Sequence, residues 1–131
     1  MSKVIGYKDL VAASEARIKT ITAEDAIPML GTEDIVFVDL RDVRELKREG
    51  GIPGAFHCPR GLLEFWIDPE SPYHHHIFAE PKEFVFFCNL GWRSALAADI
   101  AQQMGLNTCH IDGGFKAWKA FGGEVEERRK K

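Results

Sequence analysis

Two stretches of the chain, residues 35–38 and 84–87, are continuously apolar and have the length of a strand. Such runs are typical of strands that are buried on both faces of a sheet. Shorter apolar segments predict further strands at residues 20–21, 55–58 and 108–111. Because helical stretches lie between these segments, the pattern indicates an α/β fold, with a parallel sheet that is covered by helices on both faces.

The intervening stretches carry the signals of helices. Residues 7–19 have helically spaced apolar side chains, and Thr22 resembles an N-cap with Asp25 as its capping-box partner. The helix after Thr22 is expected to be short, because Pro28 removes an internal hydrogen bond and Gly31 closes the segment. Further helices are expected at residues 42–49, in part of 60–68, at 95–104 and at 115–121.

The length and composition of the chain predict one globular domain. The 131 residues are 45% hydrophobic and 28% charged, which is ordinary for a soluble protein. We expect a domain at residues 21–123, preceded by an N-terminal helical extension at 1–20 and followed by a charged tail at 124–131. With 17 basic and 20 acidic residues, the chain offers no broad basic surface, so no nucleic-acid partner is expected.

No membrane association is expected either, because no apolar stretch approaches the roughly 18 residues that span a bilayer. The first ten residues lack the apolar core of a signal peptide. The three cysteines are an odd number, which argues against a disulfide framework and favours a cytoplasmic location.

Cys88 is the strongest candidate for a chemical role. It follows a predicted strand and precedes a loop with Gly91 and Arg93, after which a helix begins. Successive backbone N–H groups in such a loop can form an anion-binding nest, and the helix dipole and the guanidinium add positive charge. All three favour the thiolate, which is the nucleophilic form of cysteine. Arg93 could act by charge alone or by hydrogen bonds to the carbonyl groups of the loop.

The remaining cysteines and the histidines fit structural roles better. Cys58 and Cys109 lie in or beside short apolar segments, where cysteine packs as a small hydrophobe. The run of histidines at residues 74–76 has no acidic or cysteine partner at ligand spacing, so we expect a solvated segment, no metal and no cofactor. His57 and His110 each stand next to a cysteine in a predicted strand and should point to the opposite face, so neither is a convincing general base.

Four segments together resemble the rhodanese-like sulfurtransferase family, with a similarity that spans about residues 21–123. They are V-F-V-D-L-R at 36–41, I-P-G-A at 52–55, C-N-L-G-W-R-S at 88–94 and G-G-F-K-A-W at 113–118. The resemblance implies a five-stranded parallel sheet and a persulfide on Cys88 as the working intermediate. It also implies that Asp39 and Arg41 fix the loops by ion pairing and hydrogen bonding.

The sequence departs from the family pattern at Gly51, which stands where the family usually has histidine.

Loop length distinguishes sulfurtransferases from phosphatases and arsenate reductases of related fold, and the loop from Cys88 through Arg93 has six residues. Related dual-specificity phosphatases and arsenate reductases resemble this loop with one residue more. A ring of N–H groups fits an anion of matching size, so the shorter loop favours a single sulfur atom over a tetrahedral oxyanion.

The expected function is transfer of a sulfane sulfur from a thiosulfate-like donor to cyanide or a thiol, with a protein acceptor as a further option. The alternatives are a phosphatase or arsenate reductase, and a non-enzymatic binding module of the same family. We expect Cys88 and Arg93 to be catalytic. The substrate-binding set is expected to comprise Asn89, Leu90, Gly91, Trp92, Ser94 and Arg60.

Overall fold

The computed structural model describes residues 4–127 and places a five-stranded parallel sheet at the centre of the chain. The strands are β1 (Lys19–Ile21), β2 (Ile35–Asp39), β3 (Phe56–His57), β4 (Glu83–Phe87) and β5 (Asn107–Ile111). Their order across the sheet is β1-β5-β4-β2-β3, and every neighbouring pair is parallel. The predicted α/β fold and its five-stranded sheet are therefore confirmed.

Helices cover both faces of the sheet. They are α1 (Tyr7–Glu15), α2 (Ala23–Ala26), α3 (Val43–Glu49), α4 (Leu63–Ile67), α5 (Trp92–Gln103) and α6 (Gly114–Ala120). Short 3₁₀ turns are formed by Ile27–Met29, Arg60–Leu62 and His76–Ala79. On one face, Phe115 and Trp118 of α6 pack over Val85 and Phe87 of β4. On the other face, alanines of α5 and Leu63 of α4 pack over Phe84 and Phe86.

Three element boundaries differ from the sequence prediction for local reasons. Helix α1 ends at Glu15, because the chain must become extended before β1 starts at Lys19. Strand β3 has only two residues, since it pairs at the sheet edge with the last two residues of β2. Helix α5 begins three residues early, at Trp92, because Gly91 adopts φ 100° and turns the chain directly into the helix.

Two local capping predictions have different outcomes. The Thr22 side chain accepts a hydrogen bond from the Asp25 N–H at 3.0 Å, as an N-cap should. The second half of the predicted capping box, in which the Asp25 side chain would accept the Thr22 N–H, is not formed within the described residues. A complete capping box occurs at α3, where Asp42 is the N-cap and Glu45 its partner. The stronger cap belongs to the helix that lies next to the Cys88 loop.

The N-terminal segment packs against α5 through polar and aromatic contacts. The Ser14 hydroxyl donates to Asp99 of α5 at 2.8 Å, and the Arg17 Nε–H donates to the same carboxylate at 3.0 Å. Tyr7 contacts Trp92 at the start of α5, with ring centroids 4.8 Å apart. Helix α1 is thus attached at both ends to the helix that carries the loop after Cys88.

Within residues 4–127, no helix is long and apolar enough to cross a membrane.

The tail predicted at 124–131 is described only to residue 127, and residues 128–131 lie outside the described part. Glu126 exchanges two backbone hydrogen bonds with Gly51, of 2.8 and 2.9 Å. The position where the family has histidine therefore serves here as a backbone attachment point for the end of the domain.

Candidate active site

Cys88 lies at the carboxyl end of β4, and its residue surface is 1% exposed. The Gly91 N–H donates to the Cys88 sulfur at 3.2 Å, so the loop closes around this atom. Gly91 adopts φ 100°, and a Cβ there would lie 3.2 Å from the Gly113 nitrogen. Glycine is favoured here because side chains rarely adopt this φ and because the backbone of Gly113 lies close to the Cβ position.

The first turn of α5 presents free backbone donors beside this sulfur. The Ala95 N–H is the first to be used inside the helix, donating to the Gly91 carbonyl at 3.2 Å. The N–H groups of Trp92, Arg93 and Ser94 have no acceptor among residues 4–127. Unsatisfied donors at a helix N-terminus favour a bound anion, so the loop can stabilise negative charge on or just beyond the Cys88 sulfur.

Helix α6 fixes the same loop from the opposite side. The Phe115 N–H donates to the Cys88 carbonyl at 2.7 Å, and the Lys116 N–H donates to the Asn89 carbonyl at 3.2 Å. Gly114 permits this approach, since a Cβ at that position would lie 2.4 Å from the Cys88 carbonyl oxygen. The G-G-F motif therefore holds the loop that carries the cysteine.

Arg93 forms two parallel hydrogen bonds with Glu45 of α3, at 2.8 and 2.9 Å. Hydrogen bonding to Arg93 lowers the pKa of Glu45, and hydrogen bonding to Glu45 raises the pKa of Arg93. Among residues 4–127, no carbonyl of the loop accepts a hydrogen bond from the Arg93 side chain. Of the two roles that the sequence leaves open for Arg93, hydrogen bonding to the loop carbonyls does not occur in this part of the chain, because the guanidinium pairs with a carboxylate on α3.

Asp39 and Arg41 form the buried ion pair that the resemblance implied. The Arg41 guanidinium is fully buried and donates to Asp39 at 2.9 and 2.7 Å. It also donates to the Gly50 carbonyl at 2.9 Å and lies over the Phe115 ring at 4.2 Å from the centroid. The pair thereby connects the ends of β2 and α3 to α6, which holds the loop.

A polar contact behind Cys88 has no signal in the sequence pattern. The Ser94 hydroxyl lies 3.7 Å from the Cys88 sulfur and 3.0 Å from Nδ1 of His110. His110 is fully buried, and its Nε2 lies 3.3 Å from the Glu15 carboxylate of α1. His110 does point away from the side of Cys109, as strand alternation requires. That face is covered by α5, and a pattern of alternation carries no information about the covering helix.

The other predicted substrate-binding residues differ in their positions relative to the Cys88 loop. Leu90 and Trp92 are 43% and 49% exposed at the mouth of the loop. Asn89 is half-buried, and its carbonyl is bound to α6. The Arg60 guanidinium pairs with Glu64 at 2.9 Å, and no hydrogen bond or ion pair joins it to the Cys88 loop within residues 4–127. Its part in substrate binding stays a prediction.

The two other cysteines are placed as structural residues. Cys58 and Cys109 are fully buried, one on each face of the sheet. Burial raises the pKa of each thiol to about 12, so both remain thiols near neutral pH. Since the thiolate is the nucleophile, neither competes with Cys88.

The histidine run is only partly solvated, which corrects the expectation of a fully solvated segment. His75 packs between the rings of Phe56 and Trp66, with centroids 4.6 and 5.6 Å apart. These contacts leave His74 and His75 half-buried, whereas His76 is exposed. In the described part of the chain, no group of three or more His, Cys, Asp or Glu side chains could hold a metal ion.

Comparison with known proteins finds similarity over nearly the whole chain. The model of the rhodanese-like domain matches residues 22–121. A mouse thiosulfate sulfurtransferase/rhodanese-like domain-containing protein is 29% identical over 95% of this chain and 83% of its own length. A thiosulfate sulfurtransferase of Pseudoalteromonas translucida is 30% identical over 84% of this chain and 97% of its own.

A solved structure from Rhodopseudomonas palustris has a higher sequence identity to this chain. It is 52% identical, covers 96% of this chain and 99% of its own, and superimposes with a TM-score of 0.91. That protein is described as one of unknown function and a possible tyrosine phosphatase. These matches therefore include two proteins whose names refer to thiosulfate sulfurtransferase and one for which phosphatase chemistry has been suggested.

Proposed function

Because this chain belongs to the rhodanese-like domain family, we propose that it is a sulfurtransferase that carries a sulfane sulfur as a persulfide on Cys88. The observation that carries the proposal is the closure of the loop, with the Gly91 N–H 3.2 Å from the Cys88 sulfur. A ring this narrow suits one additional sulfur atom, and the free N–H groups of the first turn of α5 would surround its negative charge.

The first half-reaction begins with the Cys88 thiolate attacking the outer sulfur of thiosulfate. A sulfur–sulfur bond forms to Cys88, the bond between the outer sulfur and the sulfite group breaks, and sulfite leaves with the electron pair. The product is an anionic persulfide in the N–H nest. Trp92, Arg93 and Ser94 contribute the backbone donors that stabilise this charge, and no proton is needed in the step.

In the second half-reaction, an acceptor nucleophile attacks the outer sulfur of the persulfide. With cyanide the product is thiocyanate, and the electron pair of the broken sulfur–sulfur bond returns to Cys88 as a thiolate. A thiol, free or on a protein, is the corresponding cellular acceptor. Since Cys58, Cys88 and Cys109 are all free, the cytoplasm suits this chemistry.

A phosphatase is the second candidate, because of the suggestion made for the Rhodopseudomonas palustris protein. Two features favour sulfur transfer over it. The loop from Cys88 to Arg93 is one residue short of the wider ring that a tetrahedral oxyanion needs. The Arg93 guanidinium also uses both terminal nitrogens on Glu45, which leaves it poorly placed to bind a phosphate bidentately.

Paired steady-state assays test the proposal. We expect thiocyanate formation from thiosulfate and cyanide with parallel double-reciprocal lines, which are the kinetic signature of a covalent intermediate between two half-reactions. We expect no turnover of an aryl phosphate above a Cys88→Ser control. Aryl phosphate hydrolysis without thiocyanate formation would replace the proposed function with the phosphatase.

A further inference from the structure

A line of polar side chains crosses the apolar core from Cys88 to the surface of α1. The Cys88 sulfur lies 3.7 Å from the Ser94 hydroxyl, which lies 3.0 Å from Nδ1 of His110. Nε2 of His110 then lies 3.3 Å from a carboxylate oxygen of Glu15. The first two separations are hydrogen bonds along which a proton can pass, whereas Nε2 of His110 has no hydrogen-bond partner in the described residues and faces Glu15 only as a nearby charge.

His110 is the unusual member of this line, because it is a fully buried imidazole beside an alanine-rich helix. Desolvation by burial lowers the pKa of His110, while the carboxylates of Glu15 and Asp112 act in the opposite direction. Ser94 from α5 separates the ring from Cys88. A buried polar group of this kind is costly unless its partners satisfy it.

We propose that Ser94, His110 and Glu15 form a proton relay that takes the proton of the Cys88 thiol and holds it on His110. In the starting arrangement, the Cys88 S–H faces the Ser94 oxygen, the Ser94 O–H donates to Nδ1 of His110, and the Nε2–H faces Glu15. Two proton transfers then occur together. The S–H bond breaks as a new Ser94 O–H forms, and the old Ser94 O–H breaks as an N–H forms on Nδ1.

In the arrangement after transfer, Nε2 of His110 has no hydrogen-bond partner in the described residues and lies 3.3 Å from the Glu15 carboxylate, so Glu15 acts on the ring through its charge. The imidazolium donates from Nδ1 to Ser94 and faces the Glu15 carboxylate through Nε2, while the Ser94 hydroxyl donates to the thiolate. An opposite charge within about 4–6 Å favours the charged form of a titratable group, so Glu15 stabilises the imidazolium and the imidazolium stabilises the thiolate. His110 and Glu15 are positioning residues, since they act on the sulfur through Ser94.

Glu15 lies outside residues 22–121, the part of the chain that matches the family model. It reaches His110 because Ser14 and Arg17, its neighbours in sequence, bind Asp99 of α5. Helix α1 therefore supplies both the attachment to α5 and the terminal carboxylate of the relay. The inference rests on the proposed function only in taking Cys88 as the nucleophile.

Titration of the thiolate by its ultraviolet absorbance tests the relay without any sulfur donor. Burial raises the pKa of Cys58 and Cys109 to about 12, so neither contributes to the thiolate signal below about pH 9. For Glu15→Gln and Ser94→Ala we expect the thiolate fraction near pH 6 to fall by at least about threefold, with recovery toward pH 9. Asp9→Asn removes an exposed carboxylate from the same helix and should titrate as wild type.

A double variant and the NMR spectrum of the His110 ring distinguish the relay from a purely structural role of these side chains. Adding Glu15→Gln to Ser94→Ala should change nothing further, because the line is already broken. The imidazole nitrogen-15 NMR signals of His110 should be those of an imidazolium in the wild type and of a neutral ring in Cys88→Ser.

Three outcomes would each overturn the relay. They are an unchanged titration in both single variants, an undiminished Glu15→Gln effect in the Ser94→Ala background, and a neutral His110 beside a Cys88 thiolate. Loss of sulfur transfer with an intact relay would instead contradict the proposed function.

Discussion

Arg93 and Glu45 are joined by two parallel hydrogen bonds, although 48 positions separate them along the chain. Glu45 also accepts the Asp42 N–H at 2.9 Å and so completes the cap of α3. The pair thus attaches the first turn of α5, which follows Cys88, to the first turn of α3. Rigid placement of the backbone donors around the sulfur follows from this attachment.

Geometry rather than charge is expected to decide the effect of replacing Arg93. Lysine keeps the positive charge but cannot form both hydrogen bonds with Glu45. We therefore expect Arg93→Lys to lose nearly as much sulfurtransferase activity as Arg93→Ala. Each should destabilise the fold by about 1 kcal/mol, a figure kept low because the pair is partly exposed. Turnover with thiosulfate and cyanide, together with thermal melting, measures both effects.

Glu45→Gln provides the matched test, because it weakens the pair while leaving the charge of Arg93 in place. We expect it to lower turnover as Arg93→Lys does, whereas Glu49→Gln on the same helix should have no effect on turnover. If Arg93→Lys and Glu45→Gln both retained the wild-type rate, the charge of residue 93 would be sufficient and the geometric account would be wrong.

Gly114→Ala should damage the active-site loop from the side of α6. The new Cβ would lie 2.4 Å from the Cys88 carbonyl oxygen, and the residue has φ +58°. We expect a loss of about 1–3 kcal/mol in stability and a larger proportional loss of turnover, since the displaced atoms belong to the cysteine. Gly54→Ala is the control, because Gly54 has φ +78° with no atom within 4 Å of its Cβ position. Equal loss of turnover in the two variants would show that backbone strain alone is responsible.

Insertion of one glycine between Leu90 and Gly91 tests the dependence on loop size. The wider ring should hold a sulfur atom poorly and admit a tetrahedral anion better. We expect sulfur transfer to fall and aryl phosphate hydrolysis to rise above background in a variant that retains its thermal transition. Undiminished sulfur transfer in the folded insertion variant would show that ring size does not select the chemistry.

Acid should release helix α1 before the rest of the domain. Hydrogen bonding to Arg17 lowers the pKa of Asp99 to about 2. An unfolded aspartate has a pKa of about 3.9, so this contribution to stability is complete above that pH and is lost as the pH falls toward 2. Trp92 reports the release, since Tyr7 lies 4.8 Å from it. We expect its fluorescence to change between these pH values, and Asp99→Asn to show the released spectrum at neutral pH. A pH-independent spectrum in the wild type would show that α1 does not depend on this pair.

Much of the fold could be predicted because its strands are signalled locally. The runs at residues 35–38 and 84–87 pack into the core on both faces of the sheet, so they are apolar without alternation. The short edge strand β3 and the early start of α5 were harder, since a two-residue pairing and one glycine with φ 100° decide them. These features depend on the neighbouring strand and on the loop, and hydrophobic periodicity does not describe either.

The site was predictable only where its members are adjacent in sequence. Cys88, Gly91 and Arg93 share one loop, and their order already indicates a nucleophile at a helix N-terminus. Glu45 and the line through His110 to Glu15 come from distant elements and meet only after the sheet forms. The packing of α1 against α5 and the side-chain pair between α3 and α5 create those contacts, and neither leaves a signature in the local pattern of residues.

Intact-mass measurement of the protein after exposure to thiosulfate tests the central claim most directly. Wild type and Cys109→Ser should each gain the mass of one sulfur atom, which peptide mapping places on Cys88 and which cyanide removes as thiocyanate. Cys88→Ser should gain no mass and should turn over at background, because a serine hydroxyl is a far weaker nucleophile at neutral pH. Sulfur transfer by folded Cys88→Ser at even about a tenth of the wild-type rate, or a persulfide that forms on Cys58 or Cys109 instead, would contradict the account.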